Sequence, residues 1–128
     1  MDDFYVNKVE INGNEYVEIN NDIQLKNIID NIRDEQVNEI AFYRKDKNVI
    51  LNVFADVSKF HISIIDEDKG MNYYFNSQSN NKELVELGGN FFDANNICYD
   101  QNVLERIVNK FVLYGEKYEK VKWLEEEE

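Results

Sequence analysis

Four places in this chain carry side chains whose types could do chemistry: the only histidine, His61; the only cysteine, Cys98; the acidic run Asp66, Glu67, Asp68; and the glycine pair Gly88-Gly89. His61 lies in an alternating stretch whose other face carries Phe60, Ile62 and Ile64, so it points with Ser63 and Ile65 to the opposite side. Acid–base work needs a nucleophile or carboxyl partner, and no spacing in the sequence supplies one, so His61 reads as structural or surface. Cys98 stands just before a helix cap, where a helix end can lower a thiol pKa, but burial as a small apolar side chain is the usual fate of an isolated cysteine. One cysteine and one histidine form no internal disulfide and complete no structural zinc site. Asp66, Glu67 and Asp68 offer metal oxygens, yet they sit at a hairpin tip without the ligand pattern or closing Glu of an EF-hand, and read as a solvated turn. Gly88-Gly89 is followed by no Lys, Ser or Thr in phosphate-loop register. No catalytic residue, metal or cofactor is assigned, and the chain is not expected to be an enzyme.

The elements that position these residues are legible from turns built of Asn, Gly and Asp, since the chain has no proline. VNKVEI and EYVEI flank Asn12-Gly13 and read as a hairpin. Asn21 and Asp22 cap a helix with Leu25, Ile28, Ile29 and Ile32 on one face. Residues 38–45 and 48–56 predict a second hairpin, and residues 59–68 and 71–77 a third, with Gly70 in its turn. Residues 78–96 are the least regular: a long loop with ELVEL as a short strand, a break at Gly88-Gly89 and the aromatic pair Phe91-Phe92. Asp100 caps a second helix carrying Val103, Leu104, Ile107, Val108 and Phe111 on one face and ending at Gly115, and residues 118–125 predict a closing strand. The sum is one α+β domain over 1–128: an antiparallel meander sheet of six or seven strands with two helices packed on one face, and residues 125–128 as a frayed acidic tail.

Composition narrows the function classes. With 43% apolar and 13% aromatic residues spread along its length, the chain has the makings of a folded core. No apolar run is long enough to span a bilayer, and the acidic start MDDFYVNKVE is unlike a signal peptide, so no membrane partner and a cytoplasmic location are expected. The formal net charge is -12, and the body stays acidic without its four terminal glutamates. Such a surface repels nucleic acid and attracts basic partners, though acidity also simply aids solubility. Of the consecutive aromatics Tyr73, Tyr74 and Phe75, one side belongs to the core and the other is displayed.

The C-terminal third, NFFDANNICYDQNVLERIVNKFVLYGEKYEKVKWLE, joins a loop, a short strand, a capped helix, a glycine turn and a Trp-bearing strand. It resembles the first of the immunity-protein families of bacterial polymorphic toxin systems. That family ends in an amphipathic helix with a Phe near its last turn, a Gly turn and a strand closing on Val-x-Trp before acids, matched here by Phe111, Gly115, Val121, Trp123 and Glu125. The looser likeness takes in the upstream meander with DKGMNYYFNS and covers about residues 38–125; the chain departs in having Tyr118 near where the family usually has Pro, and one Trp where it usually has more. The resemblance implies an immunity protein that binds a cognate toxin domain, a deaminase or alternatively a nuclease, and occludes its basic active-site channel without catalysis. The expected contacts are Asp66, Glu67 and Asp68 at the hairpin tip, Tyr73 on its return strand, and Phe91, Phe92 and Asp93 in the long loop, aromatic anchors ringed by carboxylates. Other readings stay open: an acidic nucleic-acid mimic, an adaptor domain with no toxin, or a small enzyme using His61. The oligomeric state is not legible.

Overall fold

In the computed structural model, which describes residues 4–34 and 36–128, Asn12 (φ 51°) and Gly13 (φ 76°) both take the left-handed conformation that folds β1 (Val6–Ile11) onto β2 (Glu15–Glu18). Asn21 then caps α1 (Asp22–Arg33), its side-chain oxygen accepting the Gln24 N–H at 2.9 Å, and Leu25, Ile28, Ile29 and Ile32 form the buried stripe. Four strands follow in a meander: β3 (Glu39–Arg44), β4 (Val49–Asp56), β5 (Lys59–Asp66) and β6 (Met71–Asn76). The segment expected as a long loop is more ordered than its composition suggests. It folds as a separate hairpin of β7 (Leu84–Leu87) and β8 (Asn90–Asp93) around Gly88-Gly89, then a 3-10 turn (Ala94–Asn96) and a two-residue strand β9 (Ile97–Cys98) beside β5. Next come α2 (Gln101–Tyr114) and β10 (Lys122–Glu127).

The main sheet runs β10-β6-β5-β4-β3-β1-β2, every pair antiparallel. Alternation decides its two faces. Val9, Ile40, Phe42, Leu51, Val53, Ile62, Ile64 and Phe75 join the buried residues of both helices in one core, so α1 and α2 pack on the same side. The fold is α+β, a meander sheet with two helices on it. No helix among the described residues is long and apolar enough to cross a membrane.

The C-terminal glutamates are a correction to the sequence expectation. Residues 125–128 do not fray: Glu125, Glu126 and Glu127 pair with Tyr73, Asn72 and Met71, and the Glu128 N–H donates to Gly70 O at 3.0 Å. Ladder hydrogen bonds come from the backbone, so a run of exposed carboxylates can complete a strand as readily as apolar residues. Charges on an edge strand also discourage further edge-to-edge pairing. The strand begins later than expected, at Lys122, because residues 118–121 turn to let Trp123 Nε1–H donate to Tyr118 O at 2.8 Å.

Helix α2 is fixed at both ends. Asp100 Oδ1 accepts from the N–H groups of Asn102 (2.8 Å) and Val103 (3.3 Å). Gly115 at φ 67° closes the other end, where a Cβ would lie 2.7 Å from Tyr5 Cδ1 and 2.9 Å from the Arg44 guanidinium. Asp100→Ala is expected to cost about 1 kcal/mol in urea unfolding, with Asp100→Asn retaining most of the stability. Equal stability of the alanine variant and the parent would mean that the cap contributes nothing.

Candidate functional site

The sheet face opposite the helices is built by the second set of alternating residues. Strand register sets them in rows crossing the strands. The middle row runs Glu10, Ala41, Asn52, Ser63, Tyr74, Leu124, with Tyr16 on β2 opposite Glu10. Beside it run Lys8, Tyr43, Ile50, Ile65, Asn72 and Glu126. On the other side stand Glu39, Phe54 and His61.

The β7–β8 hairpin covers that last row. Phe92 stacks on His61 with ring centroids 3.9 Å apart and planes 19° from parallel, and meets Phe54 at 5.2 Å. Leu87 of the same hairpin is buried, while Phe91 and Leu84 point outward at 63% and 66% exposure. The middle row is low: Ala41 and Ser63, 8% and 6% exposed, and the half-buried Asn52 lie between the aromatics under the hairpin and the larger Tyr43, Ile50 and Ile65. A partly buried tyrosine and carboxylate close one end, where the Tyr43 hydroxyl donates to Glu10 Oε1 at 2.9 Å. Burial, then the Glu10 carboxylate, push the Tyr43 hydroxyl pKa up to about 12. Lys8 Nζ sits 4.2 Å from the centroid of the exposed Tyr16 ring.

The polar atoms of this face are under-used. His61 Nδ1 and Asn72 Oδ1 are buried without a hydrogen-bond partner among the described residues. A buried polar atom left unpaired costs about 1–3 kcal/mol. His61 is 7% exposed, and burial lowers its pKa to about 4, so it is neutral near pH 7. The rings of Phe54, Tyr74 and Phe92 surround it. Cys98 is buried too, its S–H donating to Asp100 O at 3.4 Å, and burial pushes the thiol up to about 11. Among the described residues no group of three or more His, Cys, Asp or Glu side chains is gathered as a metal would need.

The contact residues expected from the sequence fall into two groups. Asp66, Glu67 and Asp68 end β5 in a turn whose carboxylates are engaged locally: Asp66 Oδ1 accepts from the Lys69 N–H, and Asp68 accepts from the Asn48 backbone and side-chain amides at 3.3 and 3.2 Å. Tyr73 shares the helix side with Phe75, and Lys117 Nζ lies 4.0 Å from its ring centroid. Asp66 and Tyr73 line one groove of about 490 Å³ with Lys69 and Lys117. Phe92 packs at the opposite end of β5, over His61, five residues or roughly 17 Å of strand from Asp66; exposed Phe91 and Asp93 flank it. The displayed tyrosine is Tyr74, because the burial of Phe75 commits Tyr73 to the same side. Tyr43, Asn52, Ser63, Asn72 and Tyr74 escaped the sequence reading of the binding surface. Their signal was present as the off-core parity of four strands, which becomes a surface only once register is known. No protein-family model, curated protein or solved structure matches the chain, so its own geometry carries the functional reading.

Proposed function

We propose that this chain is an immunity protein that acts in the cytoplasm by binding a cognate bacterial toxin domain, of deaminase or nuclease type, and covering its basic active-site channel. The observation that carries the reading is the helix-free sheet face, where Tyr43, Tyr74 and Phe92 stand beside the polar Asn52, Ser63 and Asn72, and where Asn72 Oδ1 has no hydrogen-bond partner among the described residues. Tyr43, Tyr74 and Phe92 supply rigid contact area, and Glu10 at one end of the middle row and Glu126 at the far end of the neighbouring row supply charge. A net charge of -12 steers the protein toward a channel built to hold nucleic-acid phosphates, and blocking that channel requires no chemistry from the inhibitor.

A large secreted protein with a C-terminal toxin domain is expected to be encoded beside this chain, and the test is co-expression with that domain. Survival of cells that otherwise die is expected, with a purified complex whose affinity falls at least about tenfold between low and high salt. Cell death despite abundant folded protein would overturn the reading, and salt-independent binding would remove its electrostatic part.

A further inference from the structure

The low row across the strands ends at a carboxylate, Glu10, with the exposed ring of Tyr16 opposite it. Glu10 is held in place by the Tyr43 hydroxyl, and the neighbouring Tyr16 ring already has an ammonium over its face, that of Lys8. An aromatic face beside a fixed carboxylate suits a guanidinium, which can stack on the ring and bond the carboxylate at once. On the row itself Asn52 and Ser63 enter none of the side-chain hydrogen bonds among the described residues, leaving amide and hydroxyl groups for an incoming backbone. From β1 to β10 the row crosses six strands, roughly 24 Å at usual strand spacing, or about seven extended residues.

Resting on the reading of the chain as a toxin inhibitor, we propose that an extended basic segment of the toxin lies along Ala41, Asn52 and Ser63 and places an arginine between Glu10 and Tyr16, displacing Lys8. The hairpin forms one wall of the seat, with the Phe92 edge against the segment, and Ile50 and Ile65 form the other. Glu10 is the specificity-determining residue, because a neutral or acidic side chain at that place in the segment leaves its carboxylate facing no counter-charge. Charge complementarity selects this occupant over a second copy of the chain, which would bring its own Glu10 and Glu126 to the face.

Two measurements test the proposal. Calorimetry with a catalytically inactive toxin domain should show Glu10→Gln and Tyr16→Ala each weakening binding at least about tenfold, with the Glu10→Gln complex less sensitive to salt. The control Asp66→Asn/Glu67→Gln, at the β5–β6 turn, should change affinity less than about twofold. Toxin binding that resists the first two variants but is lost in the control would overturn the seat while leaving the immunity reading standing. Amide NMR of the labelled protein with a hexa-arginine peptide supplies the independent arm. Shifts centred on Glu10, Tyr16, Ala41 and Asn52 are expected, and would uphold the seat even if the toxin domain failed to bind and the immunity reading fell. Shifts confined to the β5–β6 turn or to Glu125–Glu128 would overturn it.

Discussion

Phe111→Ala should lower the unfolding free energy by about 3–5 kcal/mol, the loss expected on truncating a fully buried phenylalanine. Phe111 is 1% exposed in the last turn of α2 and belongs to the core shared by helices and sheet. Its backbone carbonyl accepts the Gly115 N–H at 2.8 Å, so the residue anchors both the core and the helix end. Truncation removes a ring that the neighbouring Val49 and Ile64 cannot close over, because both are held in paired strands on the sheet beneath it. Phe111→Leu, which keeps most of the volume, should cost about 1 kcal/mol. Urea unfolding followed by the fluorescence of the single tryptophan, Trp123, measures both. A loss below about 1 kcal/mol for the alanine variant would show that Phe111 is not a central packing residue. Trp123 itself is only half-buried, so its replacement should be milder, although it stands out more in the sequence.

That contrast shows what was legible in the sequence and why. Periodicity located α1 and α2 together with their buried faces, since Leu25, Ile28, Ile29 and Ile32 in one and Leu104, Ile107, Val108 and Phe111 in the other repeat at helical spacing with caps at Asn21 and Asp100. The meander was equally readable, because Asn12-Gly13 and Gly70 mark turns whose positive φ angles few other residues tolerate. Pairing between strands distant in sequence was not. Nothing in KWLEEE announces that it will lie beside MNYYFN, since that contact is made by backbone groups that every residue carries. ELVEL was readable as the short strand β7, but β8 and its pairing were missed for a related reason: the inward Phe92 finds its partners Phe54 and His61 on strands some thirty residues away.

The candidate binding face was less legible than the fold. Acids beside aromatics drew attention to Asp66–Asp68 and Tyr73, but local hydrogen bonds use the carboxylates of Asp66 and Asp68, and strand parity turns Tyr73 toward the helices. Small and uncharged residues such as Ala41, Asn52 and Ser63 look ordinary one at a time. They become a seat only when register sets them side by side between taller neighbours.

The single histidine should titrate near pH 4, and it should make the fold weaken on acidification before most carboxylates do. In the folded chain burial holds His61 to about 4, whereas in the unfolded chain it has the ordinary value near 6.5. Above pH 6.5 both states hold it neutral and its contribution to stability is fully present. Between 6.5 and 4 the unfolded chain binds a proton that the folded chain does not, so stability falls with pH, by about 3 kcal/mol in total, and levels off below 4. The rings of Phe54, Tyr74 and Phe92 face it and burial is the cause of the shift, so an imidazolium would sit against aromatic faces, and among the described residues His61 enters no ion pair. Because the chain has one histidine, its ring proton signals can be followed alone by NMR. His61→Phe removes the titration, so the stability difference between parent and variant should shift against the parent by about 3 kcal/mol from pH 7.5 to pH 4. A histidine titrating near 6.5 in the folded protein would mean that Phe92 does not shield the ring. The β7–β8 hairpin would then lie open in solution, and the wall of the proposed seat would be absent from the free protein. A value near 4 places Phe92 over His61 before any partner arrives, so that wall needs no rearrangement on binding.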